Sequence, residues 1–533
     1  MKVAVIGAGV SGLAAIKCCI DEGLDSVCFE RTDDLGGLWR YSDKVTEGQT
    51  CVMKSTITNI SKEMMCYSDF PMPAEYPMFL HNTYVQKYLN LYAEKFSLRK
   101  YIQFEMEILS VMKNDDFKQT GRWVIKLKDK KTDKVKENIF DAVLVCTGCN
   151  SEKYVPNFPG LSNFKGEVVH SQDYRKPTGY EGKRVLVIGI GNSGSEIAVE
   201  LSGVASQVFI STGRGSWVFP RIIDCGMPID MTSFKRIMIK LKQILPQLIE
   251  KLVEKKANAG FDHTYYCLQP KHGVFTLAPI INDEIPKRLA SGTLRVKTDV
   301  RTFTKNGVIF DDNTVEENLD VVVLATGYAF KFPFLDKSAT NVKENNVDEL
   351  YKFIFPPKLE KSTLGVIGCT RANGPNVPVF EMQCRLSTRV FQGKVTLPCY
   401  NEMMLDIESK QEALKQKYVK THQHTVAVEY IEYMDELATL NGCRPDLGSL
   451  LWLDPKLAFT CYFGPCTPYQ YRLQGPGKWD GARKAILTQW DRTLGPLKTR
   501  PLGFNEQPSQ KNFLLFSFVF IVFICYMLQV ALL

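Results

Sequence analysis

The chain has 533 residues, 45% hydrophobic and 23% charged, which suits two or three globular domains and excludes a disordered or fibrous protein. A formal net charge of +8 over that length excludes a dedicated nucleic-acid surface while tolerating an anionic membrane nearby. The 16 cysteines are scattered, without the spacing of a disulfide framework or a zinc site, which fits a reducing compartment.

The first predicted strand, KVAVI, starts at Lys2 and leaves no room for a signal peptide. It runs into the loop Gly7, Ala8, Gly9, Val10, Ser11, Gly12, and the predicted helix LAAIKCCIDEG follows. In a strand–loop–helix of this kind the first glycine makes the tight turn and the second lets a pyrophosphate approach the backbone. The third lets the helix pack closely on the strand, with its N-terminus aimed at the phosphates. The next strand, SVCFE, ends at Glu30, whose carboxylate would accept hydrogen bonds from an adenosine ribose and repel a 2′-phosphate, as suits FAD or NAD. Residues 1–150, closing on the strand FDAVLVCTG, read as the first part of an FAD-binding domain.

A second copy of the pattern follows. KRVLVI runs into GIGNSG, placing Gly189, Gly191 and Gly194 in the three glycine positions. Ser193, Ser195 and Glu196 lie at the start of the next predicted helix. No acid ends the following strand; Arg214 stands there instead, and a guanidinium can neutralise a 2′-phosphate. The two expected cofactors are therefore FAD at the first loop and NADP(H) at the second. Residues 151–212 read as the first part of the NADP-binding domain.

Residues 213–295 are expected to form a helical, membrane-proximal insertion. Within them, FKRIMIKLKQILPQLIEKLVEKK (234–256) is amphipathic, cation-rich and broken by Pro246; it suits either a lipid surface or packing on its own protein. Residues 296–330 return to the NADP-binding domain, where VVLATG (ending Ala325–Gly327) echoes VLVCTG (ending Cys146–Gly148). Residues 331–510 read as the second part of the FAD-binding domain and the C-terminal region, with the Gly/Pro-rich stretch after Cys461 packing on the core. Residues 511–533 contain Phe513–Leu533, 21 residues without a charge, preceded by Lys498, Arg500 and Lys511. That is the pattern of a transmembrane tail anchor with the body in the cytosol. The expected fold class is α/β: two Rossmann-like dinucleotide-binding domains, the NADP domain inserted in the FAD domain, with the helical insertion and a C-terminal transmembrane helix.

Between the two loops stands FKGEVVHSQDY, with Phe164, Gly166, His170 and Tyr174. Together with ERTDDLGGLW, TNISKEMMCYSDFPMP, ATGYAFKFPFL and the apolar tail, it resembles the flavin-containing monooxygenases of the microsomal vertebrate type, over the whole chain. The resemblance implies an NADPH- and O2-dependent enzyme that oxygenates soft nucleophilic nitrogen or sulfur in lipophilic amines and sulfides, through a C4a-hydroperoxyflavin. It also implies residence at the endoplasmic reticulum membrane, and it leaves a homo-oligomer open. It assigns Asn59 as the catalytic amide beside flavin and nicotinamide, flanked by Thr58 and Ile60, with Leu38 and Trp39 along the FAD. His170 reads as part of a domain-linking element.

The chain departs from the family pattern at Gly213, where the family carries an arginine, and at Arg371 and Leu386, where it carries glutamine and tryptophan; these bear on coenzyme preference and substrate range. Baeyer–Villiger oxygenation of ketones and a weakly active NADPH oxidase-like paralogue are alternatives with the same cofactors. A disulfide reductase using Cys146–Cys149 or Cys461–Cys466 is a more distant one.

Overall fold

The computed structural model describes residues 1–148, 150, 152–339, 349–418 and 426–500. Ten parallel strands make its frame: β1 (Lys2–Ile6), β2 (Asp25–Glu30), β3 (Ile102–Phe104), β4 (Ala142–Val145), β5 (Glu167–His170), β6 (Arg184–Ile188), β7 (Gln207–Ser211), β8 (Leu294–Lys297), β9 (Val321–Leu324) and β10 (Leu364–Val366). One sheet has the order β10-β4-β1-β2-β3 and the other β8-β7-β6-β9-β5. Each central strand is an unbroken apolar run (Val3–Ile6, Val185–Ile188) buried along its length, because helices or further chain cover both faces.

The second sheet is built wholly from strands between residues 167 and 324, whereas the first takes β1–β4 from before that segment and β10 from after it. The chain crosses between the sheets twice. The two crossings lie side by side, as Glu152–Lys153 pairs antiparallel with Tyr328–Ala329. His170 closes β5 at this junction. It is buried, its Nδ1 accepts the Gln172 N–H at 3.1 Å, and its ring meets Tyr328 edge-on.

The segment 213–295 is not purely helical. Val218–Phe219 pairs with Ile280–Ile281, Ile222–Ile223 pairs with Met227–Pro228, and the expected boundary at 295 falls inside β8. Pro246 starts the helix Pro246–Gly260 just after Arg236–Ile244, at the helical position where its missing N–H costs nothing. Ile244, Leu245, Leu248 and Leu252 are exposed along this pair, while Arg236 is buried against Asp435 at 2.6 Å and anchors it to the C-terminal region. Among the described residues no helix is long and apolar enough to cross a membrane; the expected tail span, 513–533, lies outside them.

Two helices, α1 (Val10–Asp21) and α3 (Asn376–Phe391), pack on each other against the first sheet; the equivalent helix of the second unit is α2 (Asn192–Leu201). The Gly/Pro-rich stretch does pack on the core, since Tyr469, Tyr471 and Arg472 are fully buried. Arg472 bonds Glu381 on α3 at 2.7 Å, Asp69 at 3.1 Å and the Ser68 hydroxyl at 2.6 Å, and Glu381 accepts the Ser68 N–H at 2.7 Å. Removing one member of a buried charge pair strands the other. Arg472→Met should therefore lower unfolding free energy by about 3–5 kcal/mol in chemical denaturation, and adding Glu381→Leu should restore part of it.

Candidate active site

Both loops put their glycines to the same structural use. Gly7 turns at φ +99° and Gly189 at φ +104°, a region closed to most side chains, and a Cβ there would stand 2.7 Å from the Cys146 carbonyl oxygen or 2.5 Å from that of Ala325. A Cβ on Gly12 would stand 1.8 Å from the Gly7 oxygen, and one on Gly194 2.0 Å from the Gly189 oxygen. Internal packing thus accounts for the first and third glycines.

It does not account for the second. Gly9 and Gly191 have ordinary backbone angles, φ −78° and −61°, and cap α1 and α2. A Cβ on Gly9 would meet nothing nearer than 3.6 Å, and one on Gly191 nothing within 4 Å. No side chain caps either helix. Two helix N-termini with open N–H groups and a glycine that the protein itself does not require form two cradles suited to a pyrophosphate.

The residues around the first cradle converge as the sequence suggests. Glu30 is buried; one carboxylate oxygen accepts the Ala8 N–H at 2.7 Å, and the other accepts the Thr32 N–H and hydroxyl at 2.9 and 2.8 Å, so the group is oriented, with lone pairs to spare. Gly37–Trp39 forms a short helical turn whose Gly36 N–H bonds the Ala8 carbonyl, which brings Leu38 and Trp39 beside the loop that holds Val10 and the buried Ser11.

Around the second cradle the geometry refines the sequence expectation. Gly7 donates to Phe29 O and Gly189 to Ser211 O, so the residues that follow, Glu30 and Thr212, are structural equivalents. The uncharged position is thus Thr212. Arg214 lies two residues beyond, exposed, on the turn that ends in Gly215 at φ +69°. Gly213 faces Asp299, whose carboxylate oxygen would be 2.0 Å from a Cβ there. On α2, Ser193 is exposed, Ser195 is fully buried with its hydroxyl on the Asn192 carbonyl, and Glu196 pairs with Arg221 at 2.8 Å. Burial pushes the Glu196 carboxyl up to about 7 despite that arginine.

Asn59 lies in the first unit's 58–61 loop, where the inserted segment meets it. Its Oδ1 is buried without a hydrogen-bond partner in the protein. Thr58 is buried and pairs with Leu80 through both backbone and hydroxyl, while its carbonyl accepts Arg221 Nε at 3.2 Å. After the half-buried Ile60, Ser61 gives its N–H and hydroxyl to one oxygen of Asp230, each at 2.7 Å. Lys62, also buried, caps the Ala74 and Tyr76 carbonyls at 2.7 Å, and burial lowers its ammonium to about 8. Arg221, Asp230 and Asp283 escape sequence reasoning because they sit in a stretch read only for its amphipathic helices. The alternation of charge with proline and glycine in PRIIDCGMPID was the available signal.

The Cys461–Cys466 pair does not have the character of a redox centre. Cys461 and Cys466 are buried thiols, Cys461 pushed up to about 12 and Cys466 also raised by burial, the opposite of what a nucleophilic thiol needs. Cys146 is buried, and Cys149 lies outside the described residues. Gln383 supports the stretch that precedes Arg371 by accepting the Gly368 N–H at 2.9 Å, and Leu386 is buried in the core.

Comparison with known proteins agrees with this arrangement. A family model described as Flavin-binding monooxygenase-like matches residues 1–531. The chain is 49% identical over 504 residues to the "Dimethylaniline monooxygenase [N-oxide-forming] 2" of Macaca mulatta, covering 94% of each. It is also 49% identical over 502 residues to "Flavin-containing monooxygenase 5" of Homo sapiens, covering 94% of this chain and 93% of that one. Among solved structures it superimposes on the S-allyl-L-cysteine S-oxygenase of Allium sativum with TM-score 0.64 at 23% identity, covering 93% of this chain and 98% of that one. It superimposes on a cyclohexanone monooxygenase with TM-score 0.60 at 16% identity, covering 83% and 97%; these two likenesses concern the fold alone.

Two outcomes are expected. Gly12→Ala should destabilise the flavin-free protein in thermal melts. Gly191→Ala, with open space around it, should change stability by no more than about 0.5 kcal/mol while raising the NADPH concentration needed for half-maximal flavin reduction. Second, burial raises the Asp230 carboxyl from 3.8 to about 6, so its folded form holds a proton that the unfolded chain has released between those values. The associated stability is complete below about pH 4 and is lost as pH rises through about 6. Asp230→Asn removes the titration, so the stability of the parent relative to this variant should fall by about 2 kcal/mol between pH 4 and pH 7, read by denaturation at each pH.

Proposed function

The chain belongs to the flavin-containing monooxygenase family, and from that premise we propose that it binds FAD at the first cradle and NADPH at the second and oxygenates lipophilic amines and sulfides. The observation that carries the reading is the buried, unpartnered Asn59 Oδ1 in a loop tied to both units. An orphan acceptor at such a seam awaits a ligand donor. When bound, FAD accepts the reducing equivalents of NADPH and supplies the oxygen-activating chemistry.

The protein's own work is binding, orientation and exclusion of water. The α1 N-terminus and Gly9 receive the FAD pyrophosphate, Glu30 accepts from the ribose hydroxyls, and Leu38, Trp39, Thr58 and Ile60 border the flavin. The α2 N-terminus and Gly191 receive the NADPH pyrophosphate, with Arg214 and the uncharged Thr212 leaving room for a 2′-phosphate. Asn59, an amide that both donates and accepts and does not titrate, orients the reacting groups without adding charge.

The domain layout follows: FAD-binding residues 1–150 and 331–510 enclose NADP-binding residues 151–212 and, from the start of β8, 294–330, with the stretch between them as an insertion that also reaches the active site. We further propose that 513–533 anchors the body to the cytosolic face of the endoplasmic reticulum membrane. The exposed Ile244, Leu245, Leu248 and Leu252 suit contact with the same surface.

Purified enzyme supplied with NADPH and air should convert dimethylaniline to its N-oxide, or a dialkyl sulfide to its sulfoxide, with product close to one per NADPH consumed. Hydrogen peroxide as the sole product with every amine and sulfide would overturn the reading, and an ester or lactone from a ketone alone would favour Baeyer–Villiger chemistry. Asn59→Asp should lower the ratio of product to NADPH. A chain ending at 512 should leave the membrane fraction at high salt, and retention there would assign anchoring to 234–256.

A further inference from the structure

With its Oδ1 unpartnered, the Asn59 side chain owes its position to the backbone of residues 58–61. Two groups of the inserted segment hold that backbone on either side of Asn59. Arg221 Nε bonds the Thr58 carbonyl at 3.2 Å, and Asp230 accepts both the N–H and the hydroxyl of Ser61 at 2.7 Å. The remaining Arg221 nitrogens bond Glu196 on α2 and Asp283, each at 2.8 Å, while the Arg221 N–H bonds the other Asp283 oxygen at 2.8 Å. The guanidinium is thus bonded on three sides, to the first unit's loop, to the helix that begins at the second cradle, and to its own segment.

We infer that Arg221 is a positioning residue that ties the place of the Asn59 amide to helix α2 of the second unit. The inference rests on the assignment of Asn59 above. A planar guanidinium with five donors can hold three acceptors on three elements at once, and its rigidity passes a displacement of any one to the others. Glu196 lies two residues beyond Gly194, so a shift of α2 when a dinucleotide docks reaches the Thr58 carbonyl through a single side chain. A lysine would keep the charge but concentrate it in one ammonium on a flexible stem, losing the span.

The test uses full-length, FAD-loaded enzyme and anaerobic stopped-flow reduction by NADPH, with Arg221→Lys, Asn59→Ala, their combination, and Asp283→Asn. Arg221→Lys is expected to slow the limiting rate of flavin reduction about tenfold, with half-saturating NADPH changed less than about twofold, and the combination to be no slower than Asn59→Ala alone. Asp283→Asn should cost less than about threefold in the same rate. If Arg221→Lys fails to load flavin, Arg221→Gln serves in its place with the same expected non-additivity. Additive losses, or an effect confined to half-saturating NADPH, would overturn the inference by making Arg221 an independent coenzyme contact. An equal loss in Asp283→Asn would overturn it by pointing to general loosening of the segment. Flavin reduction requires no oxygen transfer, so absence of any oxygenated product in the parent enzyme would defeat the oxygenase reading while leaving this test intact.

Discussion

A helix cannot approach the turn that launches it this closely unless two glycines make way for each other. The Gly7 carbonyl occupies the place where a side chain on Gly12 would begin, and Gly189 and Gly194 repeat the arrangement. That contact sets the angle of α1 and α2 on their strands, and with it the direction in which each helix N-terminus opens. The orientation of Glu30 by the Ala8 N–H and the docking of Gly36 on the Ala8 carbonyl depend on the same turn. The cradles are thus consequences of strand–helix packing.

Across the seams of the molecule the binding agent is different: arginines that each reach several partners. Arg236 joins the inserted helices to Asp435, Gln470 and Tyr471; Arg472 joins the C-terminal stretch to α3 and the 68–69 turn; Arg221 joins the two units. Each lies in a buried or half-buried setting where an unmet donor is costly, so the geometry of each joint is sharply specified. Apolar contact alone would hold these elements together with less definite orientation.

The two sheets, both glycine turns and the helices after them were legible in the sequence because strand period, glycine spacing and helix start are local signals. The same local reading placed Glu30 at the end of β2 beside the first turn and left Arg214 two residues from the structural equivalent of that position, since counting along a chain cannot see which carbonyl Gly189 bonds. The partners of the 58–61 loop were not legible. Arg221 lies more than 160 residues from Thr58, and the local signal around it, charges set among proline and glycine in PRIIDCGMPID, does not say which distant element it meets. The amphipathic period of 234–256 was visible, but the burial of Arg236 within it was not, because its acceptor Asp435 is supplied by a distant helix.

The nesting of the second sheet between β4 and β10 has a consequence for biosynthesis. Strands β5 to β9 are complete once residue 324 has been made, so the inner unit can fold while the first sheet still lacks its edge strand at Leu364–Val366 and its covering helix α3. Until those arrive, β4 presents an open apolar edge, Ala142–Val145, and α1 lacks the helix it packs against. The nascent chain therefore carries a finished domain threaded through an unfinished one. Between the synthesis of residues 324 and 364 that edge has no partner strand in the chain already made.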